Sequence, residues 1–285
     1  MGRVFNTNAD CCPKLHYMVD ITGRLQKIRA MVDAGQYFTI NRARQYGKTT
    51  TLKALENFLK DDYTVISMDF QMLSTAKFKN ENVFSVVFAR KFIKAAEMNE
   101  NMEPEVLLPL KAALKAEKEE IELPELFEAL SDVCKGTVRP VVLMIDEIDS
   151  AADNQVFLDF LSQLRGYYIR RENIPTFQSV ILAGVHDIKN IRRKIHPDES
   201  SKINSPWNIA ADFLIDMSFS AEDIAGMLGE YETDHHTGMD VWQMVGFLYE
   251  YTSGYPFLVS RLCKIIDERV AESEEFPNKS AAWTR

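Results

Sequence analysis

Gly47-Lys48-Thr49 sits inside the stretch "YFTINRARQYGKTTTLKAL" (residues 37–55), and these three residue types suit the binding of a polyphosphate. Glycine lets the backbone approach a phosphate where a Cβ would stand in the way. Lys48 offers a point charge to the outer phosphates and the Thr49 hydroxyl offers a ligand to magnesium. A helix beginning here would also aim its first amides at the anion. The complete pattern, G-x-x-x-x-G-K-[ST], wants its first glycine at position 42, and the chain has Arg42 there. A bare G-K-[ST] arises easily by chance, so this stretch alone leaves two readings open: a working loop and a fortuitous match.

A second stretch decides between them. "VVLMIDEID" (141–149) is an apolar run that ends in Asp146-Glu147, with Asp149 following. A carboxylate at the end of a buried strand is costly without a partner, and that edge of an open α/β sheet is where ligands bind. Downstream of a phosphate loop, Asp146 is expected to hold magnesium and Glu147 to polarise the attacking water. Both motifs in this order predict a site for a nucleoside triphosphate. A third apolar run, "VILAGVHDI" (180–188), ends in Val185-His186-Asp187. In additional-strand ATPases a polar residue at this place senses the γ-phosphate, which makes His186 the first candidate and Asp187 the second. The equal alternative is an Asp187 N-cap beside a surface His186.

The elements that must hold these residues alternate along the chain. "YFTI" (37–40), "YTVISMDF" (63–70), "VVLMI" and "QSVILAGV" (178–185) read as strands, the near-continuous apolar runs suiting strands buried on both faces. "KTTTLKALENFLKDD", "NVFSVVFARKFIKAAEM", "LPELFEALSDVC" and "VFLDFLSQLRGYYIRR" read as the helices between them. This alternation predicts an α/β fold, a P-loop NTPase of three layers (α/β/α) around a mainly parallel sheet. "ADFLIDMS" (211–218) reads as a last strand, and the acidic segment 96–125 as solvated helices and a loop. Beyond residue 219 the pattern is helical only, opening on a capping signal, Ser220 with Asp223 three residues on. The expected organisation is a core over 1–219, with 1–36 leading into it, and a small domain over 220–285. That domain reads as a helical lid or a winged-helix-like unit, complete or truncated.

The chain's 285 residues, 46% hydrophobic and 26% charged, suit an ordinary globular protein with a sizeable core. No apolar run is long enough for a membrane-spanning helix, and no secretory signal opens the chain, so no membrane partner is expected. Cys11, Cys12, Cys134 and Cys263 form no C-x-x-C pair, which argues against a zinc site and fits a reducing, cytoplasmic setting. A net charge of −9 argues against a chain-wide affinity for nucleic acid. The local exception is "IKNIRRKIH" (188–196), with Lys189, Arg192, Arg193 and Lys194.

Taken together, "YFTINRARQYGKTTTL", "VVLMIDEID", "VILAGVHDI" and "TSGYPFLVSRLC" resemble the AAA-ATPase-like proteins of bacteria and archaea. These stand near the STAND and archaeal-type ATPases of the additional-strand P-loop class. The resemblance runs from about Tyr17 to Arg269, and "RxRQxGKT" is its most specific part. In such proteins the loop often reads Arg-Pro-Arg-x-x-Gly-Lys-[Ser/Thr], so Arg42 is a loop variant and only Ala43 departs from the usual proline. The resemblance implies an ATP and magnesium site built on Arg42, Ala43, Arg44, Gln45, Tyr46, Gly47, Lys48, Thr49 and Thr50, with Arg42 and Arg44 as extra cations beside the phosphates. Thr49 and Asp146 would take the metal, with Glu147, Lys48 and His186 in catalytic roles. Gly254, Tyr255 and Pro256 match a lid-helix motif near the base or ribose, and Tyr17 and Asp20 a segment leading into the site. A turn between two helices is the plain alternative for residues 254–256. Many relatives continue into a nuclease-like domain, of which no sign is seen in these residues.

The expectation is Mg-ATP binding and slow hydrolysis, driving a switch or a motor. Arg42, Arg44, Arg192 and Arg193 are the candidates for an arginine that neutralises charge in the reaction, the last pair doing so in a homo-oligomer; as the alternative, that pair lies on a solvated helix face. A STAND-type switch acting on a protein partner, an ATPase acting on nucleic acid, and a phosphotransferase are the competing functions.

Overall fold

In the computed structural model, which describes residues 2–8, 10–115, 121–185, 206–271 and 273–284, the chain divides into two compact units. One comprises residues 27–43 and 52–214; the other comprises 1–26, 44–51 and 215–285.

The larger unit is an α/β fold on four strands: β1 (Phe38–Asn41), β2 (Thr64–Asp69), β3 (Val141–Asp146) and β4 (Ser179–Gly184). Every pairing is parallel and the order is β1-β4-β3-β2. β3 and β4 are buried along their whole length, as their unbroken apolar sequences require when both faces are covered. The register sets Asn41 beside Gly184 and Asp69 beside Asp146, so the carboxyl ends of all four strands form one edge. Helices α3 (Glu81–Glu97), α4 (Leu108–Lys115), α5 (Leu123–Gly136) and α6 (Gln155–Ile169) contribute to the core, alongside α1 (Thr22–Asp33) and α2 (Lys48–Leu59) in the chain order. Phe84, Phe88, Phe127, Phe157 and Phe160 interlock there, and Asn80 caps α3 by accepting the Val83 amide at 2.8 Å.

Two expectations need correction. The strand expected over 211–218 shrinks to a single bridge, in which Ala211 donates to the Tyr37 carbonyl at 2.8 Å. The next outward carbonyl, that of Phe213, accepts instead from the Arg42 guanidinium at 3.4 Å, and Leu214 is exposed. Segment 96–125 is less solvated than its acidity suggests, because Met102, Leu107, Leu110, Ile121 and Leu123 are buried in the core. Glu97, Glu100, Glu103, Glu105, Glu122 and Glu125 are exposed.

The second unit is helical: α7 (Ala221–His235), α8 (Val241–Thr252), α9 (Pro256–Ile265) and the short α10 (Lys279–Thr284). The capping box at Ser220 and Asp223 forms as expected, with each side chain accepting the other's amide. Its core joins the N-terminal residues Phe5, Tyr17 and Val19 to Ile224, Leu228, Tyr231, Val259 and Trp283. Gly254 fastens this unit. Its φ is +74°, and a Cβ built there would fall 2.0 Å from the Phe219 carbonyl oxygen, while its own carbonyl accepts the Phe219 amide at 2.8 Å. Gly254→Ala is therefore expected to destabilise this unit by on the order of 2–4 kcal/mol, read as a lowered urea midpoint; an unchanged midpoint would show that the backbone relaxes freely there.

Candidate functional site

β1 delivers the chain to its end at Asn41, and Arg42 still donates its amide to the Gly184 carbonyl at 3.2 Å. The ladder thus continues one residue into the loop before it departs. The Arg42 side chain turns back along the sheet unit: its guanidinium donates to the Asn41 carbonyl at 3.0 Å and lies 5.4 Å from the Phe213 ring centroid. Phe213 in turn stacks on Phe38 at 5.9 Å. At the place of the first glycine, then, the side chain packs against the root of the loop.

From Arg44 on, the loop belongs to the helical unit. Ala43, Arg44 and Gln45 are exposed, Gln45 at φ +62° and Gly47 at φ +74°. The second value suits glycine, since a side chain in that region carries a penalty of about 1 kcal/mol or more. Lys48 begins α2 and is 7% exposed, and Thr51 donates its amide to the Gly47 carbonyl at 2.8 Å. Thr49 is exposed at the second position of the helix, and the Thr50 hydroxyl accepts the Cys11 amide at 3.3 Å.

Tyr255 clasps this loop. Its hydroxyl donates to the Arg44 carbonyl at 2.6 Å and its ring lies 4.7 Å from that of Tyr46. Burial, and then the neighbouring Tyr46, raise the Tyr255 pKa above the ordinary phenol value, so the hydroxyl stays a neutral donor. Pro256 follows at the start of α9, buried, where its missing amide costs nothing. Tyr17 is placed elsewhere. Its ring is 4% exposed among Phe5 and Tyr231, with its hydroxyl donated to Asp234 at 2.9 Å and Arg3 over its face. Asp20 accepts the Thr22 amide at 2.8 Å, and the Thr22 hydroxyl, then this amide, hold its carboxyl below the usual range.

In the sheet unit, Asp146 ends β3 at 8% exposure and its Oδ1 accepts the Glu147 amide at 2.9 Å. Glu147 is half-buried in the left-handed region, φ 54° and ψ 42°, as the residue before a 3-10 turn at Ile148–Ser150. A non-glycine residue is held there only when its surroundings over-determine it. Here they do: the Asp146 carboxylate takes its amide, and the Ser150 hydroxyl donates to its carbonyl at 3.2 Å. Asp149, to which the sequence assigned no role, accepts the Val185 amide at 2.7 Å and so ties the exit of β4 to the turn after β3. His186, Asp187, Lys189, Arg192, Arg193 and Lys194 lie outside the described residues.

Among the described residues no group of three or more His, Cys, Asp and Glu side chains is arranged to hold a metal. Magnesium at a phosphate site takes one or two protein oxygens and fills the rest of its octahedron with phosphate and water. A hydroxyl at Thr49 and a carboxylate at Asp146 are the hard-oxygen donors such a site uses, so the donor set fits. No helix among the described residues is long and apolar enough to cross a membrane.

A family model described as an AAA-like domain matches residues 16–282. The chain is 22% identical over 261 residues to an uncharacterised WD repeat-containing protein of Synechocystis sp., covering 87% of this chain and 20% of that protein. Among solved structures it resembles Cdc6p from Pyrobaculum aerophilum (TM-score 0.42, 13% identity, 75% of this chain and 49% of that one). It also resembles the Orc1 protein of Aeropyrum pernix, solved in complex with DNA (TM-score 0.47, 11% identity, 93% and 64%). The chain therefore spans about a fifth of the curated relative and less than two thirds of either solved chain.

Proposed function

Because the chain belongs to the AAA-like domain family, we propose that it binds Mg-ATP on the loop at 42–50 and hydrolyses it slowly to drive a switch or motor. One observation carries the reading above the others: β4 lies between the strand that feeds the Gly47-Lys48-Thr49 loop and the strand that ends in Asp146-Glu147. Ligands of open α/β sheets bind beyond the carboxyl ends of the strands, and in this sheet a single strand separates β1 from β3.

In this reading the amides at the start of α2 and the Lys48 ammonium bind the β and γ phosphates. Thr49 and Asp146 would hold magnesium, which when bound draws charge off the outer phosphates. Glu147 accepts a proton from the attacking water, and its fixed left-handed backbone sets the direction from which it does so. Lys48 stabilises the charge that spreads over the equatorial oxygens. Four free thiols fit a cytoplasmic protein. A phosphotransferase would need an acceptor hydroxyl in place of water; phosphate release from ATP and magnesium alone, with no acceptor added, separates the two and is the test of this proposal.

The Tyr255 clasp yields a finer expectation. Tyr255→Phe keeps the ring against Tyr46 and removes the hydrogen bond to the Arg44 carbonyl. It should weaken ATP binding by roughly 3–10-fold, the worth of one hydrogen bond, with the unfolding midpoint unchanged. Unaltered affinity in a calorimetric titration would remove Tyr255 from the binding machinery.

A further inference from the structure

α8 is apolar nearly all round: among its 12 residues, "VWQMVGFLYEYT", Glu250 is the sole charge. A helix of that kind is normally enclosed on every side. Here Val245 and Leu248 are buried, yet Trp242 is 61%, Phe247 51%, Tyr249 43% and Tyr251 76% exposed. At 100° per residue, Trp242 and Tyr249 share one edge of the outward face and Phe247 and Tyr251 the other. Gln243, Gly246 and Glu250 lie in the trough between these two edges.

Large aromatics left in water at helical spacing are the residue types that dominate protein interfaces, Trp and Tyr above all. Charge then selects the partner. Residues 215–285 hold thirteen Asp and Glu against five Lys and Arg, a balance of −8 within a chain of −9. Asp240 at the head of the helix and Glu250 in its trough are both exposed. A second copy would bring the same acidic surface against itself, and a nucleic acid would bring phosphates, so both are disfavoured. A cationic segment is favoured twice, by the carboxylates and by the faces of the aromatic rings.

We propose that the outward face of α8 is a docking surface for a basic, amphipathic protein segment, whose apolar side chains lie on the four aromatics and whose Lys or Arg side chains meet Asp240 and Glu250. Because Trp207 and Trp283 are buried at 0% and 1% exposure, quenching by acrylamide reports mainly on Trp242. The test titrates the chain with a helical Leu/Lys peptide, an isosteric Leu/Glu peptide and a DNA duplex, and repeats the titrations on the double variant Trp242→Ala/Tyr251→Ala and on Glu250→Gln. Sedimentation of the chain alone over a concentration series completes it.

The expected result is saturable binding of the Leu/Lys peptide that shields Trp242 from acrylamide, with no binding of the Leu/Glu peptide or the duplex and a monomer throughout. The double variant, its charge and unfolding midpoint unchanged, should bind the Leu/Lys peptide about tenfold or more weakly by anisotropy of a labelled peptide; Glu250→Gln should weaken it less. Equal binding by the double variant would reduce the effect to bulk charge and overturn the proposal. So would self-association that shields Trp242, binding of the duplex in its place, or no binding at all.

Discussion

Lys48→Ala should abolish ATP binding while leaving the fold in place. The side chain is 7% exposed at the first residue of α2, within reach of whatever the amides at the head of that helix bind. Charge-assisted contacts to phosphate contribute about 1.5–3 kcal/mol each, so losing the ammonium should weaken binding by roughly 100-fold or more. Alanine is the best helix former, so the start of α2 keeps its backbone. The two effects separate by thermal unfolding. Without nucleotide, parent and variant should unfold at similar temperatures. A ligand at 100 times its dissociation constant adds about 2.7 kcal/mol to the parent, and a variant that binds 100-fold or more weakly should gain about 0.4 kcal/mol or less. A variant stabilised by ATP as much as the parent would move the phosphate site away from this loop.

Glu147→Gln should keep binding and stop turnover. The substitution preserves shape and hydrogen-bonding reach but removes the proton acceptor. General-base catalysis contributes about 10²–10⁴-fold, so a single-turnover rate should fall within that range while the ATP affinity stays within about twofold. The left-handed backbone at φ 54° is held by the Asp146 carboxylate and the Ser150 hydroxyl, neither of which the substitution touches. The variant should therefore accumulate as an ATP-bound protein, recoverable with unhydrolysed nucleotide after desalting. Unaltered turnover would show that another group activates the water.

How much of this was legible beforehand follows from what each feature depends on. "VVLMID" and "SVILAG" announced themselves because strands covered on both faces admit no polar alternation. Their order did not: nothing in the local pattern of β4 says that it inserts between β1 and β3, since neighbours in a parallel sheet are chosen by the crossover helices. "ADFLIDMS" has the composition of a strand, but an arginine from the loop occupies its next acceptor, a tertiary event with no local signature. The same contact accounts for Arg42. Its position in the loop pattern was readable, whereas the turn of its side chain toward Asn41 and Phe213 was not. Tyr255 was assigned by motif near the base or ribose, while its contacts with the loop, hydroxyl to Arg44 carbonyl and ring to Tyr46, have no local signature. The burial of Tyr17 against Phe5 and Tyr231 likewise depends on a helix more than 200 residues later.

The central claim is that a phosphate loop with arginine in place of its first glycine is a working nucleotide site. Calorimetric titration of the unmodified chain with ATP in magnesium tests it most directly. The account predicts saturable binding of one ATP per chain, weakened when magnesium is chelated and lost in Lys48→Ala. An absence of binding at millimolar ATP, or binding that Lys48→Ala leaves intact, would contradict it.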